Sequence, residues 1–564
     1  MSAVTALNPP SQCSPERSQR GAMRALPDSF AGPTAVRRVR VVHLVLIAPA
    51  LGVAAACGFQ PLGLWPLTLL GIAGLLWLVA RAPGTGRAAL AGWLWGVGHF
   101  CFGNGWIATA FTYQAQMPAW LGWIAVFLIS LYLAVFPAVV AAAAWKICGG
   151  RAGRRPVGFA LAFAGCWIIA EWLRGWLFTG FPWNPLGVAA LGPFGRAGLA
   201  QVLPWLGTYA LSGLVALLGG AWWLAWRLRG RRPIAAGLVL GPAALLMLPQ
   251  MTPADRPGTL PFTLVQPGIR QQDLDDPAHF NTQFQTTAAL TLPRHPGERR
   301  LVLWPESGVP DYLRGGYPAW FYDGNTYGGD PGLARSRIAR AVGQNGLLLT
   351  GAVDLVLRQS GDGGPKVAAA RNVVTALDET GTIRAGYAKA HLVPYGEYLP
   401  MREWLTPLGL SRLVPGSLDF WAGPGPRTLD LGAWGRAGIQ ICYEIVFSGE
   451  VTDRAHRPDY IFNPSNDGWF GDWGPPQHLA QARLRAIEEG LPVLRSTTNG
   501  ISAVVDANGL VRQYLPRPVA ARLDGVVPPP HAPTLFARAG NALPLCWAAI
   551  LLVAALLVLR RRPR

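Results

Sequence analysis

Eight apolar runs constrain this chain more than any other feature. They lie at roughly 41–58, 61–80, 88–111, 119–145, 157–178, 198–226, 234–250 and 542–559. Each approaches or exceeds the ~20 residues that carry an α-helix across a hydrocarbon core. The first is the weakest, because Pro49 and Gly52 interrupt it. Hydrophobic residues make up 51% of the 564, with 24 tryptophans among them, too apolar for an ordinary soluble protein and too long for one domain. A transporter is disfavoured: between 37 and 250 the one acidic residue is Glu171, and few polar groups could line a path.

The net charge of +19 could suggest nucleic acid, but its distribution excludes that class. From Met251 to Gly540 there are 27 basic and 27 acidic residues; the other 22 basic and 3 acidic residues sit beside the apolar runs. Arg37, Arg38 and Arg40 precede the first run, and Arg81 and Arg87 lie between the second and third. Lys146, Arg151, Arg154 and Arg155 follow the fourth, Arg227 to Arg232 follow the sixth, and four arginines follow the eighth. The alternate links carry one basic residue, Arg196. With eight spans, every basic link falls on one face, which the positive-inside rule makes cytoplasmic. The expected plan is a disordered tail at 1–36 with no cleavable signal, seven spans in 37–250, an exported domain at 251–540, and a last span with a basic end at 541–564. Both termini are then cytoplasmic and the large domain is periplasmic in a cell with two membranes.

The exported segment alternates strands and helices, which predicts an α/β domain. Strands are read at Phe262–Gln266, Leu301–Trp304, Leu347–Val353, Asn372–Leu377, Ile439–Cys442, Tyr460–Phe462, Val493–Ser496 and Ser502–Val505. Helices are read at His279–Leu292, Gly332–Val342 and Gln477–Glu489, the last opened by Pro475 and Pro476.

Of seven cysteines only Cys442 lies in this domain, at the end of an apolar strand. A lone cysteine is most often a buried core residue; in an oxidising compartment it can also be a thiol kept for chemistry. The residues after Glu444 read as the start of a helix, whose positive end would favour thiolate. A second strand runs into Glu306. Lys389 is one of three lysines in an arginine-dominated chain, so it either pairs with a carboxylate as an ordinary ion pair or does chemistry that a guanidinium cannot. No His/Cys cluster has metal-ligand spacing, and no cofactor or metal is expected.

Trp304-Pro305-Glu306, Lys389 before His391-Leu392-Val393-Pro394-Tyr395-Gly396-Glu397, and Cys442-Tyr443-Glu444 occur in the order of the Glu-Lys-Cys triad of the nitrilase superfamily. Ser465-Asn466-Asp467-Gly468-Trp469-Phe470-Gly471, Gln477-His478, Arg483 and Arg495-Ser496-Thr497-Thr498-Asn499-Gly500 further resemble its membrane branch, the bacterial apolipoprotein N-acyltransferases. Glu171-Trp172-Leu173-Arg174-Gly175 and Phe178-Thr179-Gly180-Phe181-Pro182-Trp183 also match. The resemblance covers about 40–564. It departs after Gln266, where Pro267 to Asp275 lack the Lys-Trp usual there, and at Thr498, where Asn is common.

The resemblance implies a nitrilase-like αββα sandwich on a multi-pass α-helical membrane base of eight spans. It implies transfer of an acyl chain from a phospholipid to the α-amino group of the diacylglyceryl N-terminal cysteine of an apolipoprotein. Cys442 would be the nucleophile, Glu306 the general base and Lys389 the stabiliser of the oxyanion, with Glu397, Tyr443 and Glu444 as support. A thioester would split one hard transfer into two easier steps. Lys389 and the Tyr443 N–H could hold the tetrahedral oxygen. The alternative is a membrane-tethered amidase with the same triad. A monomer is expected.

Both substrates carry acyl chains, so a site open to the bilayer surface is expected. Trp404, Leu405, Leu408, Leu410, Leu413, Val414, Phe420 and Trp421 form an apolar loop that reads as a lid or membrane-dipping arm. Trp469, Phe470 and Trp473 form a second candidate lip. Glu171 and Arg174, three apart on one helical face, can pair; they would serve either a lipid headgroup or helix packing.

Overall fold

The computed structural model describes residues 41–113, 118–250, 257–359, 364–405, 407 and 418–561. The tail read at 1–36 lies outside them. The apolar half is built of α1 (Val41–Ala56), α2 (Trp65–Ala80), α3 (Thr85–Gly103), the short α4 (Ile107–Ala110), α5 (Trp120–Leu133), α6 (Val135–Ile147), α7 (Pro156–Arg174), α8 (Leu203–Arg227) and α9 (Arg232–Leu246). Its helices approach closely through small residues, as membrane bundles do. A Cβ added at Gly52 of α1 would fall 2.0 Å from the Trp95 carbonyl oxygen of α3, and one at Gly98 would fall 2.1 Å from that of Pro49.

Helices occupy all eight apolar runs, but among the described residues four are long and apolar enough to cross a bilayer: Trp120–Ile147, Pro156–Arg174, Leu199–Arg227 and Ala542–Arg560. The helices α1, α2 and α9 are apolar but shorter, at 16, 16 and 15 residues.

The second half contains β1 (Pro261–Gln266), α10 (Phe280–Thr291), β2 (Arg300–Leu303), α11 (Pro331–Val342), β3 (Gly346–Gln359), β4 (Pro365–Asp378), β5 (Ile383–Ala388) and α12 (Arg402–Leu405). It continues through β6 (Thr428–Asp430), β7 (Arg436–Ile439), β8 (Tyr460–Ser465), α13 (Gly474–Glu489), β9 (Val493–Thr497), β10 (Ser502–Val505), β11 (Val511–Leu515) and β12 (Ala521–Val526). The short α14 (Leu535–Ala539) leads to α15 (Ala542–Arg560).

The strands form two six-stranded sheets, ordered β12-β1-β2-β3-β4-β5 and β11-β10-β9-β8-β7-β6. Both follow one pattern. An antiparallel edge strand joins three parallel strands, and two antiparallel strands complete the sheet. The inner faces share one apolar core that includes Leu264, Leu303, Leu349, Val374, Ile439, Phe462, Leu494 and Val504. The outer face of the first sheet packs Val302, Trp304 and Leu348 against Ile338 and Val342 of α11. The outer face of the second packs Ile461, Val493 and Ala503 against Leu479, Ala482 and Ala486 of α13.

Helix α13 is the joint between the halves. Pro475 sits in its first turn and the left-handed Gly490 ends it. Every residue except Pro476 is buried, because one face meets the second sheet and the other meets the apolar base. Its polar side chains therefore need partners inside the protein. Gln477 Oε1 accepts from Trp183 Nε1 and Asn184 Nδ2, both at 2.9 Å. Arg483 donates to the carbonyls of Gly192, Pro193, Arg196 and Gly509 at 2.8–3.1 Å. Glu488 Oε1 accepts from the Thr208 N–H at 2.6 Å, where Gly207 breaks α8 at φ 73°, and from Ser448 Oγ at 2.9 Å. Arg485 Nε lies 2.7 Å from Glu488 Oε2, an ion pair in distance although the N–H is not aimed along the contact.

Glu488→Ala should therefore strand a buried guanidinium and an N–H at once. Removing one partner of a buried pair typically costs about 3–5 kcal/mol. Thermal unfolding in detergent should show a clear fall in Tm, and an unchanged Tm would mean that this joint carries no stability.

Candidate active site

Three strand ends from the two sheets meet at one point. After β2 the ladder runs on for two residues: the Trp304 N–H donates to the Leu349 carbonyl at 2.9 Å and the Gly351 N–H to that of Pro305 at 3.1 Å. Glu306 follows, so close to β3 that a Cβ on Gly351 would fall 2.7 Å from its Cα. Lys389 is the first residue after β5, and its N–H donates to the Asn372 carbonyl at 2.9 Å. Cys442 comes three residues after β7 and opens a single 3-10 turn, Cys442–Val446.

The three side chains are buried, with Lys389 only 1% exposed. Lys389 Nζ lies 3.0 Å from Glu397 Oε1 and 3.5 Å from Glu306 Oε1. Burial alone favours the neutral amine, but Glu397, Glu306 and Cys442 outweigh it and hold the ammonium above its ordinary value. One ammonium thus serves two carboxylates, and neutral donors supply the remainder. Asn372 Nδ2 bridges them, 2.7 Å from Glu306 Oε1 and 3.0 Å from Glu397 Oε1. The Asn466 N–H donates to Glu306 Oε2 and the Val393 N–H to Glu397 Oε2, each at 2.8 Å.

Cys442 has φ 51°, the left-handed region that residues with a Cβ adopt at a cost of about 1–2 kcal/mol. Such a corner lifts the sulfur out of the strand line. The helix expected after Glu444 is absent. The chain makes the one 3-10 turn instead, so the expected α-helix does not supply its positive end to the sulfur. Burial pushes the Cys442 thiol well above its ordinary value and the Glu306 charge adds to the push, while Lys389 and the Asn466 N–H oppose it. At neutral pH the resting group is therefore a thiol, and an acceptor for its proton must lie at hand. The Asn466 N–H donates to Glu306 and also favours the charged form of Cys442, so one donor serves both groups.

The other residues read from the sequence take distinct places. Glu397 belongs to the charge cluster. Glu444 does not: its carboxylate accepts from Tyr387 OH, the Ala390 and His391 N–H groups and the Ile441 N–H at 2.7–3.2 Å, stapling the Lys389 loop to the Cys442 turn. The Tyr443 side chain faces the helical base, its hydroxyl donating to the Gly180 carbonyl at 3.3 Å. Phe470 is a packing group rather than a free lip, with ring centroids 4.7 Å from Trp106 and 5.7 Å from Trp183. Trp469 and Trp473 are partly exposed and touch Tyr113 and Phe102.

Glu171 and Arg174 are buried and do not bond each other. Glu171 Oε1 accepts from Trp167 Nε1 and the Leu186 N–H, and Arg174 Nη1 donates to the Trp183 carbonyl, at 2.8–3.0 Å. Both fasten the 183–186 link to α7, which is the packing role. Trp404, 77% exposed, and Trp421, 43% exposed, flank the arm. Leu408, Leu410, Leu413, Val414 and the side chain of Leu405 lie outside the described residues.

The sequence reading missed Asn372 and Asn466 as site residues. Asn372 heads an apolar strand stretch, and a polar residue there was the one available signal. The role of Asn466 is carried by its backbone, which no side-chain pattern reveals.

Two stacked sheets with a Glu, a Lys and a Cys at their converging strand ends define an enzyme of the carbon-nitrogen hydrolase class. The sequence pattern of the Carbon-nitrogen hydrolase family matches residues 268–516, and that of the Apolipoprotein N-acyltransferase N-terminal domain matches residues 51–221. The chain is 35% identical to the apolipoprotein N-acyltransferase of Bradyrhizobium diazoefficiens, covering 92% of this chain and 95% of that one. It is 33% identical to that of Rhodopseudomonas palustris over the same shares. Among solved structures, an amidase from Nesterenkonia sp. AN1 aligns at 19% identity with a TM-score of 0.32, over 52% of this chain and 96% of that one. The chain belongs to the apolipoprotein N-acyltransferase family.

The Asn372 bridge can be tested by two substitutions. Asn372→Ala removes one donor from each carboxylate and should slow single-turnover acylation of the thiol by about 10- to 100-fold, in the range of ~1.5–3 kcal/mol for a hydrogen bond to a charged group. Asn372→Asp places a third carboxylate against two and should be worse than alanine. Equal rates in the two variants would show that the bridge does not order the charges.

Proposed function

We infer that this enzyme moves an acyl chain from a membrane phospholipid to the α-amino group of an apolipoprotein's diacylglyceryl cysteine, through a thioester on Cys442. The observation that carries this reading is the buried thiol beside Glu306 and Lys389, on a sandwich joined through α13 to an apolar helical base. Glu306 takes the thiol proton as sulfur attacks the ester carbonyl. Lys389 and the Tyr443 N–H hold the oxygen that becomes negative, a contribution of about 2.7–4 kcal/mol per donor in comparable sites. Collapse expels the lysophospholipid alcohol, protonated by Glu306. The incoming amine then attacks the thioester, passes its proton to Glu306 and releases the thiol. Glu397 keeps Lys389 in place and Glu444 keeps its loop in place.

The proposed architecture has seven spans in 37–250, a periplasmic domain at 251–540 and an eighth span in 541–564, with cytoplasmic termini and a monomeric chain. The one-sided distribution of basic links supports it. The short helices α1, α2 and α9 would then cross where flanking residues or local thinning make up the length. Trp404 and Trp421, large and exposed beside the site, are proposed to meet lipid, with Trp469 and Trp473 on the other rim.

Incubation with phospholipid alone should leave one hydroxylamine-sensitive acyl chain on the protein, read by mass spectrometry at Cys442. Cys442→Ala and Glu306→Gln should each abolish it. A peptide with a diacylglyceryl cysteine and free amine should discharge the chain, whereas the same peptide with its amine blocked should not. Discharge by water as fast as by peptide would make the protein a tethered hydrolase instead.

The orientation has its own test. A reporter active only outside the cytoplasm should work when fused after Pro253 and fail after Arg564. Activity at Arg564 would remove the eighth span.

A further inference from the structure

The chemistry above uses the Cys442 side chain, but the Cys442 carbonyl is also gripped. His478 on α13 is completely buried, and its Nε2 lies 3.0 Å from that oxygen. Asn463 Nδ2 stands farther off, at 3.5 Å, and donates mainly to the Gln440 carbonyl at 2.6 Å. A carbonyl only accepts, so His478 Nε2 must carry a proton. The other ring nitrogen, Nδ1, lies 3.0 Å from both Asp467 Oδ1 and Arg495 Nη2. In a neutral ring Nδ1 accepts from Arg495; in a charged ring it donates to Asp467. The Nε2–H toward Cys442 is the same in both.

The support is rigid. Arg495 Nη2 holds the Asp467 carboxylate at 2.8 and 2.6 Å, its Nη1 donates to Ser465 Oγ at 2.9 Å and to Asn463 Oδ1, and Arg495, Asp467 and His478 are all fully buried. Burial, with the Arg495 charge second, lowers the ring's affinity for a second proton, which favours the neutral form.

The carbonyl of Cys442 and the N–H of Tyr443 are the two ends of one peptide group. That group is planar and trans, so the N–H points opposite to the C=O. Among the described residues the Tyr443 N–H has no acceptor of its own. A donor on the oxygen fixes the direction of the N–H and draws electron density from it, strengthening it as a donor by about 10–30% in hydrogen-bonded chains. It also holds a residue at φ 51° that would otherwise relax.

We propose that His478 is a positioning residue for the reaction: by binding the Cys442 carbonyl it aims and polarises the Tyr443 N–H at the acyl oxygen. This rests on the reading that the Tyr443 N–H and Lys389 stabilise the tetrahedral oxygen. His478 touches neither substrate nor sulfur and acts through the peptide between them.

Two substitutions of similar polarity separate this role from a structural one. In His478→Gln the amide nitrogen can reach the place of Nε2 and the Cys442 carbonyl. In His478→Asn it reaches only the place of Nδ1. The full-length enzyme in detergent would be assayed for acyl-enzyme formation from phospholipid and, separately, for alkylation of Cys442 by iodoacetamide, which builds no oxyanion. The expected result is acylation at least about tenfold faster in the Gln variant than in the Asn variant, with the Asn variant about 10²–10³-fold below the parent, and alkylation within about threefold of the parent in both. Equal acylation by the two variants, or alkylation falling in step with acylation, would overturn the proposal. A parent enzyme that alkylates at Cys442 but never acquires an acyl chain would instead overturn the underlying acyl-transfer reading.

Discussion

The structure turns on one buried ammonium shared by two carboxylates. An ion without a partner in a protein interior costs several kcal/mol, and Lys389 offers one positive charge where Glu306 and Glu397 bring two negative ones. The deficit is met by donors that carry no net charge: the Asn372 amide and the N–H groups of Val393 and Asn466. They come from β4, from the loop after β5 and from the end of β8, which belong to different sheets. The sheets must therefore stack in one register for the charges to be tolerable. That same register sets Cys442 within the field of Glu306 and Lys389. Burial raises the thiol, which makes a local base necessary, and it also strengthens every donor that faces the developing oxyanion.

The shared strand pattern of the two sheets gives this arrangement a second reading. Glu306 follows β2 and Asn466 follows β8, the central parallel strands of their sheets. The two touch, backbone N–H to carboxylate. The Glu306 carboxylate on one sheet is thus held by a backbone donor of the other.

Much of this was legible in the chain. Seven of the eight strands and the three helices read in the α/β half exist near their expected bounds, because short apolar runs bounded by Gly and Pro leave little choice; the strand read at Ile439–Cys442 instead runs Arg436–Ile439, ending three residues before the cysteine. What was missed were β5, β6, β11 and β12. Here β11 and β12 alternate little, and β11 exposes Arg512, Gln513 and Tyr514, so both resemble loop in sequence. The expected helix after Glu444 failed because Glu444 turns back to cap the Ile441 N–H and ties the turn to Ala390 and His391 instead of propagating it. Glu171 and Arg174 were correctly placed on one face, but spacing alone could not say that each would bond to the 183–186 link rather than to the other. The acidic and basic side chains of α13 are the deepest case. The helix pattern said nothing of their surroundings, and Arg483, Arg485 and Glu488 are all buried, with carbonyls, a hydroxyl and an N–H of the helical base in place of water.

The burial of α13 on both faces has a consequence for how this enzyme can be handled and how it can change. Most domains tethered to a membrane tolerate being cut loose, because the face toward the tether is already wetted. Here the surface exposed by excision would carry Gln477, Arg483, Arg485 and Glu488 stripped of their partners in the helical base, on the helix whose His478 reaches the Cys442 carbonyl. A solubilised half would keep the contacts around its thiol but would carry uncompensated polar groups on the face of α13 that the base now covers. The lineage is under the same restriction. The α/β half and the helical half can only drift together where α13 joins them.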